Sequence, residues 1–166
     1  MSENANTRTG QGPLQLHRLL AGAVLWGVAM ALSLAGGLEL SIGGLTANRN
    51  ALISLYFAGG LIAFAPAVWA ARLIAGKRPA EARFAAGFLC LGVATIALTA
   101  GLYALVYKVF YVRWHGDFLT TFWVYEFAVT AASALYQFAA IGLRNYFPLG
   151  PVFLVAASLW LAKSMR

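Results

Sequence analysis

Residues 84–107 read FAAGFLCLGVATIALTAGLYALVY, 24 residues without a charged side chain. At 1.5 Å per residue such a helix is about 36 Å long. That exceeds the ~30 Å hydrocarbon core of a bilayer, which about 20 apolar residues can cross. Working outward, residues 51–74 (ALISLYFAGGLIAFAPAVWAARLI) form a second run of 24, with Arg72 as its only charge. Residues 19–38 and 118–143 form two more, the latter holding a single acid, Glu126. A fifth run, 147–162, has only 16 residues. It is marginal for a span and needs Tyr146 and a snorkelling Lys163 to reach both interfaces.

Composition agrees. The chain of 166 residues is 61% hydrophobic and 10% charged, with mean hydropathy +0.75. Soluble domains average about 45–50% apolar and about 25% charged, and disorder requires the opposite bias. The expected class is an all-α, polytopic membrane protein: a bundle of five transmembrane helices or, alternatively, four plus a re-entrant piece. Residues 1–16 read as a polar, disordered tail, and 17–166 as one membrane domain. A signal peptide would have a shorter apolar core than 19–38. There is no internal repeat.

Nine Arg and three Lys against five acids give a net charge of +7. The bases are spread along the chain and gather at the ends of apolar runs. They therefore read as topology signals and lipid head-group contacts rather than a nucleic-acid surface. Arg72, Lys77, Arg78 and Arg83 crowd the connection between the second and third runs, which places that loop and the amino terminus in the cytoplasm of a bacterial inner membrane. Five spans would leave Lys163 and Arg166 on the opposite side, against the rule. Four plus a re-entrant piece would not.

Small residues mark the packing faces, because helices in lipid associate by close backbone approach. They are Gly22, Ala29, Ser33 and Gly36 or Gly37 in the first run, and Gly59, Ala63, Ala67 and Ala70 in the second. Pro66 is expected to kink the second. Thr95, Thr99 and Tyr103 line one side of the third, where the hydroxyls can bond back to the preceding turn.

The fourth run carries the strongest positional signal. Glu126, Thr130, Ser133 and Gln137 recur at i, i+4, i+7 and i+11, and Arg144 follows Glu126 by 18 residues, five turns of an α-helix. Such a stripe must face the bundle, a hydrated cavity or another subunit, because lipid satisfies no polar group. Before it, the segment YKVFYVRWHGDFLTTFWVYE mixes aromatics with Lys108, Arg113, His115 and Asp117. It reads as an interfacial aromatic belt, or as a head-group or ligand site at the outer face.

Catalytic sets are scarce. Cys90 is the one thiol, so neither a disulfide nor a dithiol relay can form within the chain. His17 and His115 lie near run ends and cannot form a bis-His haem site in the bilayer. A single Asp excludes the intramembrane aspartyl peptidases and CDP-alcohol phosphotransferases, which need several. No metal site and no cofactor are expected. Three functions remain. The first is a non-catalytic accessory, assembly or regulatory subunit of a larger membrane complex, in contact with lipids and with other subunits or further copies. The second is a small oligomeric transporter or lipid translocator using the Glu126 stripe. The third is a membrane enzyme acting on a lipid at the outer face.

Overall fold

A computed structural model describes the backbone of residues 11–42, 48–111 and 120–164, with side chains at 16–40, 48–107, 120–121, 124–125 and 128–164. The described residues form five α-helices and no strand: α1 (Gln11–Ile42), α2 (Arg49–Ala75), α3 (Ala80–Tyr111), α4 (Thr121–Gln137) and α5 (Leu149–Ser164). Three of them, α1 to α3, are each long and apolar enough to cross a membrane. The protein is an all-α membrane bundle. The helix α1 begins inside the stretch expected to be a disordered tail, since Gln11 to Leu16 are helical. Pro13 does not prevent this, because backbone N–H groups of a first turn have no acceptor within the helix.

The helix α2 is the centre of the molecule, flanked by α1 and α3, while α5 fills the groove between α1 and α3 and α4 lies outside, packed chiefly on α3. The small residues set these distances. A Cβ on Gly59 would collide with the side chain of Thr99, and one on Gly60 would lie 3.1 Å from the Gly27 Cα. Beside them Ala63, Ala67 and Ala71 are fully buried. Pro66 sits on an exposed side of α2, and the helix runs through it without a break.

A tight turn, Gly76–Pro79, closes the α2–α3 hairpin, with the Gly76 N–H donating to the Arg72 carbonyl at 2.9 Å. At the opposite end Arg49 pairs with Glu39 at 2.7 Å, tying the start of α2 to the end of α1.

The fourth and fifth apolar runs do not form two separate spans. After Gln137 the helix widens into a π-turn (Phe138–Gly142), tightens into a 3₁₀ turn (Leu143–Tyr146), and resumes as α5 after a cis Phe147–Pro148 bond. The two arms meet at 76°. Gly37 of α1 makes room for this break: a Cβ there would lie 2.9 Å from the Asn145 carbonyl oxygen and 3.1 Å from that of Phe147.

From the break α5 runs antiparallel to α1. Leu149 abuts Gly36, Phe153 and Ala157 share a groove with Leu25, Trp26 and Ala29, and Ser164 shares a cavity with Arg18 and Arg72. The helix α3 starts at that basic end and finishes at the other. The bent α4–α5 pair after it is long and apolar enough for at most one further crossing, so the described helices offer three crossings, or up to four if that pair is a single span. Lys163 lies at the same end as Arg18 and Arg72, where five full crossings would have put it opposite. Arg166 lies outside the described residues.

Candidate functional site

Two polar constellations and one basic cavity organise the described residues. The first constellation is at the break. Disrupting a helix inside a membrane frees carbonyl groups that lipid cannot satisfy. Here the chain supplies hydroxyls. Tyr56 on α2 donates to the Gly142 carbonyl at 2.7 Å, in the π-turn itself. Ser33 on α1 donates to the Tyr146 carbonyl at 2.7 Å. The Tyr146 hydroxyl in turn reaches the Thr99 hydroxyl at 3.0 Å. Tyr56, Ser33 and Thr99 are at most 1% exposed. The Tyr56 ring packs on Tyr146 and Phe138, at centroid distances of 4.9 and 6.1 Å.

Closer to the middle of α1, the Trp26 ring N–H donates to the Thr95 hydroxyl at 2.9 Å, and Thr95 donates onward to the Leu91 carbonyl at 2.6 Å. The expected bond back to the preceding turn is present at Thr95, and Thr95 and Thr99 each join α3 to a neighbour.

The second constellation is the stripe on α4. Thr130 is half-buried, while Ser133 and Gln137 are exposed. The buried line of this arm is Ala134, Phe138 and Gly142. Gln137 receives the Tyr103 hydroxyl at 3.4 Å. Arg144 is exposed and lies in the 3₁₀ turn. Its alignment with Glu126 assumed a constant 100° step per residue, and the π- and 3₁₀ turns between them break that step. Glu126 is on α4 and Lys108 on α3, but their side chains lie outside the described residues, as do Arg113, His115 and Asp117 entirely. Among the described residues no three His, Cys, Asp or Glu converge as a metal site.

The cavity was not legible as a site. Arg18 of α1, Arg72 of α2 and Ser164 of α5 line a space of about 450 Å³ at the basic end, walled by Phe64, Leu161 and Trp160. It meets a lateral groove of about 390 Å³ between α1 and α5, which shares Arg18, Phe64 and Trp160 and continues along Leu25, Ala29 and Phe153. Arg18 and Arg72 looked like separate topology signals because 54 residues divide them. What joins them is the antiparallel course of α1 and α2, with the end of α5 arriving beside them.

No protein-family model, curated protein or solved structure matches the chain.

Proposed function

We propose that the protein is a non-catalytic subunit of a larger assembly in a bacterial inner membrane, docking through the outer face of α4. The observation that supports this is the contrast in polar satisfaction along one arm. The break is closed by the chain's own hydroxyls, whereas Ser133 and Gln137 are exposed on a helix that packs chiefly on α3. In a bilayer, exposed polar side chains of this kind gain partners from a neighbouring helix. The large apolar side chains between them, Leu135 and Tyr136, supply contact area.

The test is photo-crosslinking in native membranes. A photoreactive residue at Tyr136 should capture a defined membrane protein, and one at Leu73, exposed on α2, should not. Equal capture at both positions, or capture of lipid alone at Tyr136, would overturn the reading.

The transporter reading draws less support. Broken helices in transporters offer their freed carbonyls to a substrate or ion, but here those of Gly142 and Tyr146 are already taken by Tyr56 and Ser33.

Orientation belongs to the same proposal. Among the described residues, Arg18, Arg72, Lys77, Arg78, Arg83 and Lys163 gather at one end, six bases against three at the other, where Arg49 is paired with Glu39 and Lys108 and Arg144 also lie. The positive-inside rule makes the basic end, with the amino terminus, cytoplasmic. On a Cys90→Ala background, Ala80→Cys and Ser164→Cys should both react with a membrane-impermeant thiol reagent only from the cytoplasmic side. Labelling of the two from opposite sides would restore five crossings.

A further inference from the structure

We propose that the cavity between Arg18 and Arg72 binds one anionic phospholipid, its phosphate between the two guanidinium groups and an acyl chain along the α1–α5 groove. Three observations carry this. First, two arginines from different helices line one cavity, and among the described residues neither has an ion-pair partner; the one pair there, Arg49–Glu39, is at the far end. Like charges gathered without a carboxylate leave room for an anion, and the planar guanidinium fork matches phosphate oxygens. Arg72 also lies in the last turn of α2, where its charge is favoured by the helix dipole.

Second, the cavity shares Arg18, Phe64 and Trp160 with the groove, whose wall past Arg18 is apolar: Ala21, Leu25, Ala29, Phe153 and Ala157. A free anion has no use for such a channel. From Arg18 to Ala29 is about 16 Å at 1.5 Å per residue, roughly half the ~30 Å hydrocarbon thickness, so the groove covers one leaflet. Third, Trp160 borders both spaces, at the level where tryptophan prefers to sit, between head groups and chains. Phosphate end, indole belt and apolar channel follow one another in the order of a phospholipid's own parts. This surface is separate from the α4 face, so the two proposals stand or fall independently.

The experiment is native mass spectrometry of the purified full-length protein in non-ionic detergent. Phosphatidylglycerol and phosphatidylcholine with identical acyl chains are offered in equal amounts. The expected result is a preference for phosphatidylglycerol of at least about tenfold, since both lipids carry the phosphate but the choline ammonium of phosphatidylcholine is repelled by the two guanidinium groups. The double variant Arg18→Gln/Arg72→Gln should bring the ratio near unity. Ala21→Phe fills the groove from an exposed position and should lower retention of both lipids with the preference kept. Inorganic phosphate, added as competitor, should leave the lipid bound.

Equal retention of the two lipids by the unaltered protein overturns the proposal, and needs no variant that must fold. Displacement by inorganic phosphate together with an unaffected Ala21→Phe shows a bare anion site and overturns it too. A lipid-free dimer closed over the groove would do the same.

Discussion

The break between α4 and α5 and the outward face of α4 belong to one continuous stretch of chain, yet they treat polar groups in opposite ways. At the break, Tyr56, Ser33, Thr99 and Tyr146 are buried and bonded to one another or to freed carbonyls. One to two turns earlier, Ser133 and Gln137 are exposed. The difference teaches which polar residues of a membrane helix hold the fold and which are available for something else. A hydroxyl that closes a carbonyl within the chain is structural. One left on an exposed face awaits a partner, since lipid offers none.

The comparison can be broken first at its foundation, the close approach of α2 and α3 that places Tyr56 and Thr99 beside the break. Gly59→Leu would drive a side chain into Thr99 and should cost about 3 kcal/mol, the upper end for overpacking. Gly101→Leu on the same bundle should cost nothing, because no atom lies within 4 Å of its Cβ position. Reversible unfolding in mixed micelles measures both. Equal effects would mean that the α2–α3 spacing is not set by Gly59.

Next in size is Tyr56→Phe, which removes the 2.7 Å bond to the Gly142 carbonyl and keeps the ring contacts. The expected loss is about 1 kcal/mol, the usual net worth of a hydrogen bond, since the Gly142 carbonyl keeps the first backbone bond of the 3₁₀ turn it caps. A similar loss, about 1 kcal/mol, is expected of Thr95→Val, because the buried Trp26 ring N–H then lacks its acceptor. If Thr95→Val costs clearly more than Tyr56→Phe, the break is not where polar bonding matters most.

The sequence made the membrane class and the first three spans legible, because an uncharged run such as 84–107 admits few other readings. The small-residue faces were legible too: Ser33, Gly36, Gly37 and Gly59 all lie at close approaches. The break was not. Nothing in FAAIGLRNY differs in polarity from an ordinary helix end, and a π-turn depends on tertiary hydrogen bonds that a single run cannot display. Pro148 was the available sign, since the residue before a proline avoids the α conformation. The cavity between Arg18 and Arg72 was illegible for a related reason: periodicity reports on one helix, and this site is made by three.

The smallest expected effect on stability is also the one that bears hardest on the comparison. Ser133→Leu/Gln137→Leu replaces two exposed polar side chains by apolar ones. Gln137 gives up only a 3.4 Å contact with Tyr103, and Ser133 makes none with another helix among the described bonds. Leucine is also the better residue against lipid. The double variant should therefore unfold within about 0.5 kcal/mol of the unaltered protein, as surface substitutions usually do. Its association should nevertheless fail, because the polar contacts across the α4 face are gone while the fold that presents them is intact. Co-purification from gently solubilised membranes reads the second quantity, and unfolding in micelles the first. Lost stability with kept association would make the stripe part of the fold, and the distinction between the two polar regions would collapse. Kept stability with lost association would locate the partner on α4. Tyr56→Phe should then show the reverse pattern, weakening the fold while the molecules still folded retain their partner.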